Sequence, residues 1–372
     1  MTRAGRSQSP EARLAGLWTP RRIAFTLGYL LFLFILAEGT ARVLFAVPFL
    51  SNRLSIPDDY GWRRAWVARH KSTGKDVFYT FDRFDSLTGW RAQSNVHSQT
   101  AFGGHTLTTN AQGFRAGHDF AVAKAANVTR VLLLGDSFTF GDESNDDVIY
   151  PSVLQQLLPS AEIMNFGVHG YGHDQMLILL RTEGIQYHPD VVILGFFRGD
   201  VSRNLLGFRD YAKPRFRLAD GRLIQSGTPV PTPDETLRWD WARPRVIDLE
   251  SAIRGKLRGS SVDLAASQRI TRAILGEMAR VVDSIHATPV FAYLPNAEEI
   301  ERVGPMSTDE RWFVEMCREL SDVRCVSARP EFEKELRGGA TFKTQGHWDA
   351  AGHRAVAIAI AQFLTDSGLV AR

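Results

Sequence analysis

Apolar positions follow three patterns along this chain. From Ile23 to Ala37 the residues are apolar apart from Thr26 and Gly28. Glu38 and Arg42 interrupt, and apolar character resumes over Val43–Val47. Taken together, that stretch exceeds the roughly 20 residues a helix needs to cross a bilayer. From Arg130 onward, short apolar runs alternate with helical spacing. Val131–Leu134, Glu162–Val168, Val191–Phe197, Pro289–Leu294 and Val323–Val326 read as strands. Tyr150–Leu158, Gln175–Glu183, Leu264–Ile285, Asp309–Leu320 and Ala350–Leu364 read as helices. Continuous apolar strands separated by helices predict βαβ units and a parallel sheet covered on both faces. The expected fold is α/β, a three-layer doubly wound parallel sheet.

Two stretches break these patterns. Ser51–Ala125 holds short aromatic and β-branched pieces, Val77–Phe81 and His105–Thr109, broken by Gly and Asn. It predicts a small β-containing, membrane-proximal region of hairpins and loops rather than a helical unit. Asn110–Arg115 (NAQGFR) reads as a turn reaching back to the main domain. Asn204 to about Asp263 reads as an insertion. Lys213–Leu223 carries the hairpin signal Asp220-Gly221, and Pro229, Pro231 and Pro233 follow. The expected organisation is a basic tail over 1–22, an anchor over 23–47, a membrane-proximal region over 51–125 and a main domain over 126–372, with the insertion at about 205–263.

Charge orients the anchor. Five arginines (Arg3, Arg6, Arg13, Arg21, Arg22) precede it against one acid, Glu11. That excess predicts a cytoplasmic N-terminus and a main domain outside, periplasmic or extracellular. A cleaved signal peptide is the rival; apolar residues resuming after Ala41 favour an uncleaved, single-pass anchor in the cytoplasmic membrane. Glu38 and Arg42 share a helix face and can pair. The net charge of +3 over 372 residues is too small to imply nucleic acid. Cys317 and Cys325 cannot make a disulfide scaffold or a zinc site. Outside the cytoplasm they either join or stay as two buried thiols.

Candidate chemistry gathers at strand ends. Ser137 follows the first strand in Gly135-Asp136-Ser137, a pattern that alone is only a turn or helix cap. GVHGYG (Gly167–Gly172) ends the second strand, RGDVSRN (Arg198–Asn204) the third, and GHWD (Gly346–Asp349) precedes the last helix. A parallel sheet brings such ends to one edge. His169 and His173 read as solvated loop histidines, His353 as a packing or capping group and Trp348 as a wall beside His347. Lys213, Arg215, Arg217 and Arg222 read as a solvated hairpin face. Neither a metal nor a cofactor is expected.

The blocks GDSFTFG, NFGVHGYG, FFRGD and GHW, in this order over roughly 130–364, resemble the SGNH (GDSL-like) hydrolase family, and NAQGFR is similar to its membrane-anchored bacterial members. The resemblance implies Ser137 as nucleophile and His347 as base. It implies an oxyanion hole from the N–H groups of Ser137 and Gly170, with Asp136 structural. There are two departures from the family pattern. Gly199 stands where an Asn usually completes the oxyanion hole. Gln345 and Thr344 stand where an Asp precedes the histidine, and a neutral amide cannot stabilise imidazolium. The implied function is a membrane-anchored serine esterase or O-acyltransferase, acting on acyl esters of an envelope glycan or lipid. The alternative is an impaired domain that binds glycan or serves assembly. Beyond that substrate and the membrane, no protein partner is implied.

Overall fold

The computed structural model describes residues 19–54, 59–73, 77–258, 263–301, 304–320, 322–343 and 345–371. Most of the basic tail, with Arg3, Arg6 and Arg13, and Thr344 lie outside the described residues. The chain forms two compact units: one of residues 1–61 with 239–260, the other of 62–238 with 261–372.

The smaller unit is built on α1 (Pro20–Ala46), 27 residues long, about 40 Å at 1.5 Å per residue. It is long and apolar enough to cross a membrane, and none of its apolar window is buried. Arg42 pairs with Glu38 at 2.7 Å, as their spacing predicts. α2 (Pro48–Leu54) follows.

Next along the chain comes α3 (Asp59–Thr73), so the expectation of a non-helical 51–125 fails there. The helical signal is an aromatic pair at i, i+4: the Trp66 and His70 rings stack at 4.0 Å. Two hairpins follow, β1 (Asp82–Asp85) with β2 (Gly89–Ala92) and β3 (Gln99–Ala101) with β4 (His105–Leu107). Val77–Phe81 is not a strand; its rings pack around His169 instead.

The main sheet begins with β5 (Thr129–Gly135), which runs into α4 (Ser137–Phe140). Then come α5 (Tyr150–Leu157), β6 (Ala161–Gly167), α6 (His173–Thr182), β7 (Val191–Phe197) and α7 (Arg198–Arg203). The insertion holds β8 (Phe208–Arg209), β9 (Tyr211–Ala212), the hairpin β10 (Arg215–Ala219) and β11 (Arg222–Ser226), α8 (Pro233–Ala242) and α9 (Arg245–Arg258). The chain closes with α10 (Leu264–Ser284), β12 (Thr288–Leu294), α11 (Ala297–Ile300), α12 (Thr308–Glu319), β13 (Arg324–Ser327), α13 (Arg329–Arg337) and α14 (Ala350–Asp366).

Five parallel strands lie in the order β13-β12-β7-β5-β6. Numbered along the sheet this is 2-1-3-4-5, the flavodoxin-like doubly wound order, so the expected fold class holds. Alternate residues of β5 feed two cores. Leu132 and Leu134 join the core that includes α6, α10 and α12 residues, Val131 and Leu133 the one that includes α5, α13 and α14 residues. Cys317 of α12 is bonded to Cys325 of β13. That settles the open alternative in favour of a bridge.

Candidate active site

Asp136 breaks β5 and caps α4. Its Oδ1 accepts from Phe138 N at 3.0 Å, leaving Ser137 as the first helical residue at the sheet's carboxyl edge. Asp136 Oδ2 takes Arg203 Nη1 at 3.0 Å, and the same nitrogen bonds Asp200 and, at 2.8 Å, Tyr171 O. Burial first, then the charge of Asp136, pushes the Asp200 carboxyl well up. This cluster holds the three strand ends together.

Across 210 residues of chain, His347 Nε2 meets Ser137 Oγ at 2.8 Å. His347 Nδ1 faces Glu143 Oε1 at 3.1 Å. The acid partner is therefore neither Gln345 nor an Asp before the histidine. Gln345 is exposed, with no hydrogen bond to His347 among the described residues. Burial works against ionisation of Glu143, but hydrogen bonds and charges from Lys343 and His347 outweigh it and hold its carboxyl below the usual value. An ionised carboxylate at this point fixes the imidazole's tautomer and stabilises imidazolium. Gly346 admits it: φ is +74°, and a Cβ there would sit 3.1 Å from Glu143 Oε2. Glu143 itself has φ +60°, a sparsely populated conformation of the kind that functional loops hold.

Arg115, the last residue of NAQGFR, sets that loop. It is buried, donates to the carbonyls of Phe140, Gly141, Thr106 and Ser144, and pairs with Asp146 at 2.9 Å. Ser144 Oγ in turn donates to Trp348 O at 3.3 Å, joining the acid loop to the histidine loop. Beside Ser137, the Phe138 ring packs against His347, Trp348 and Phe197. Trp348 is buried and bonds Pro295 O, so it is a wall under the histidine.

Gly170 lies within the second block, with φ +74°. Its neighbours are fixed from the β1–β2 hairpin. His169 Nε2 meets Asp82 Oδ2 at 2.9 Å, Trp90 Nε1 donates to His169 O at 2.9 Å, and Tyr171 OH donates to Trp90 O at 2.7 Å. His169 and His173 are thus fully buried rather than solvated. Aromatic rings enclose His169, while the His173 ring stacks on Phe196 at the end of β7. Burial disfavours the charged form of His169, but Asp82 more than offsets it and its pKa rises. Burial pushes His173 down to about 3. His353, at about 3 for the same reason, accepts from Tyr150 N and caps α5 as expected. Lys213 also departs from the solvated reading: it is buried against Asp174.

At Gly199 a Cβ would lie 2.5 Å from the Phe197 ring. The direction of the missing Asn side chain is filled by an aromatic. A different donor stands near Gly170. Arg209 Nη1 is 3.2 Å from where a Gly170 Cβ would be, beside Asp210, with its guanidinium over Trp62. Burial, then the charge of Arg203, lowers its pKa to about 9. Asp142, next to Glu143, is buried, and its Oδ1 has no hydrogen-bond partner among the described residues. Burial raises its pKa to about 6. No group of three or more metal-ligating side chains occurs among the described residues.

No family model and no curated protein matches the chain. Solved structures with a similar pattern include a lipolytic protein of the G-D-S-L family from Desulfitobacterium hafniense, at 16% identity, TM-score 0.39, covering 63% of this chain and 98% of that one. The acetyl xylan esterase AlAXEase is similar at 15% identity and TM-score 0.39, covering 63% and 99%. LAE5, a hydrolase from the metagenome of Lake Arreo, Spain, has 16% identity and TM-score 0.40, covering 66% and 97%. Similarity at that level transfers no activity to this chain.

Proposed function

We propose that this chain is a membrane-anchored serine esterase or O-acyltransferase of the SGNH type, acting outside the cytoplasm on acyl esters of an envelope glycan or lipid. One observation carries the reading: the continuous line Ser137 Oγ, His347 Nε2, His347 Nδ1, Glu143 Oε1, with links of 2.8 and 3.1 Å. It has the order and reach of an activated nucleophile.

In this reading Ser137 Oγ attacks the ester carbonyl carbon while its proton passes to His347 Nε2. Glu143 stabilises the imidazolium. The oxyanion takes the N–H groups of Ser137 and Gly170, and Arg209 supplies the third donor that Gly199 lacks. His347 returns the proton to the leaving alcohol, and an acyl-Ser137 remains. Water then gives the acid; a sugar hydroxyl gives transfer. The alternative of an impaired binding domain drew on the two departures from the family pattern. With Glu143 on the imidazole and Arg209 beside Gly170, the enzymatic reading is favoured.

The span-length helix α1, the arginines before it and the Cys317–Cys325 bridge support placement outside the membrane. Turnover of 4-nitrophenyl acetate by the detergent-solubilised chain tests the chemistry. Hydrolysis that Ser137→Ala abolishes is expected. Equal turnover by the variant would end the proposal.

A further inference from the structure

The smaller unit carries an apolar face that the site does not use. Helix α9 packs on α1, where Ala41 and Ala252 are both fully buried. The polar link between them is specific: Glu38 Oε2 accepts from Val246 N at 3.0 Å. Val246 lies in the first turn of α9, where backbone N–H groups lack intrahelical partners and an anion is favoured. The one acid within α1 therefore caps the insertion helix. Glu38 lies 15 residues beyond Ile23, about 22 Å along the helix. The start of α9 is thus level with the far part of the apolar span.

From that point α9 presents Val246, Leu249, Ile253 and Leu257 as a stripe at i, i+3, i+7 and i+11. The stripe lines an apolar groove of about 530 Å³. Leu257 is 83% exposed, and just before α9 Trp239 and Trp241 are 63% and 79% exposed. The charges between them are closed on each other: Arg245 with Asp240 and Asp248, and Arg243 with Asp248. Along the helix, Lys256 is exposed and Arg254, also exposed, pairs with Glu250 beside the groove; long basic side chains there can reach headgroups.

We propose that α9 and the Trp239–Trp241 corner form a second membrane contact, with the stripe seated among the acyl chains of the bilayer that α1 crosses. It rests on the anchor reading above. Three features select lipid as the occupant: continuity with the exposed apolar surface of α1, tryptophans of the kind found at membrane interfaces, and basic side chains beside the stripe. The contact would fix the insertion to the membrane surface and keep the chain close to lipid-borne esters.

The test uses the full chain in phosphatidylcholine–phosphatidylglycerol vesicles, with an environment-sensitive NBD label on single thiols. The native cysteines are bonded to each other and take no label. Labels at Leu257→Cys and Trp241→Cys are compared with Leu31→Cys in α1 and Leu218→Cys in the β10–β11 hairpin. Spin-labelled lipid should quench positions 31, 241 and 257 by roughly twofold or more and leave 218 unchanged. Quenching at 31 but not at 241 and 257 overturns this proposal and leaves the anchor standing. Emission at 257 that is blue-shifted but insensitive to spin-labelled lipid shows a protein contact and overturns it too. No quenching at 31 removes the anchor and this proposal with it.

Discussion

Two histidine–carboxylate pairs lie near the carboxyl edge of one sheet, with opposite surroundings. His169 and Asp82 meet at 2.9 Å with neither side chain accessible. Five aromatic rings, those of Phe78, Tyr79, Phe81, Phe102 and Phe140, surround the imidazole, and its Nδ1 finds no hydrogen-bond partner among the described residues. His347 and Glu143 meet at 3.1 Å with side chains 22% and 37% exposed, and the second ring nitrogen holds Ser137 Oγ. A histidine–carboxylate couple is therefore no catalyst by itself. Access and a nucleophile on the other nitrogen separate a proton relay from a buried brace. The buried pair serves the open one indirectly, because it fixes the loop that carries Gly170.

The comparison predicts divergent phenotypes. Glu143→Gln should lower kcat by on the order of 10²–10⁴ with an unchanged unfolding midpoint, by analogy with the acid-to-amide change in serine proteases. Steady-state kinetics alongside thermal melts read this directly. Gln345→Asp, which puts an acid two residues before His347, should change little, since the position next to Nδ1 is taken. Asp82→Asn should do the reverse of Glu143→Gln. Breaking a buried pair typically destabilises by roughly 3–5 kcal/mol, while kcat per folded molecule falls far less than in Glu143→Gln. The raised pKa of His169 gives the sign of its pH dependence. The pair's contribution is full below the ordinary histidine range and is lost as pH rises through the raised value. The stability gap between wild type and Asp82→Asn should therefore narrow in alkali. A large kcat loss with unchanged melting in Asp82→Asn would break the distinction.

Smaller effects sharpen it. Arg209→Ala should lower kcat by about 10²–10³, the usual loss for one oxyanion donor, with a lesser change in KM. A pure KM effect would assign Arg209 to ground-state binding. Asp142 has a carboxyl raised from 3.8 to about 6. It is unpenalised while protonated, and its cost grows as pH rises from about 4 to 6. Asp142→Asn should therefore be more stable than wild type at pH 7, by up to about 3 kcal/mol. That advantage should vanish below about pH 4, as denaturant titrations at the two pH values would show.

Much of this architecture was legible along the chain. The three strands β5, β7 and β12 announced themselves as apolar runs, and the alternation with helices implied the parallel sheet. Ser137, Gly170 and His347 stood at strand or helix boundaries with distinctive neighbours. Glu143 did not. It lies in an acid-rich turn with Asp142, Asp146 and Asp147, and nothing local marks which carboxylate will face a histidine 204 residues away. The choice is made by Arg115, which gathers the loop's carbonyls, and by the missing Cβ of Gly346. Arg209 was hidden for the same reason: Gly170, which it lies near, belongs to another strand end. The burial of His169 and His173 was missed because polar sequence near a glycine-rich turn looks solvated until distant elements cover it, the β1–β2 hairpin at His169 and Phe196 with Asn204 at His173. Helix α3 was missed because aromatic residues at i, i+4 resemble strand composition.

The central claim is that Ser137 is a nucleophile activated by His347. The most direct measurement is covalent labelling of the full chain with a fluorophosphonate, followed by peptide mapping in a mass spectrometer. One adduct on the peptide containing Ser137 is expected, formed far more slowly in His347→Ala and Glu143→Gln. A folded protein that takes no adduct, or takes it on another residue, would contradict the account.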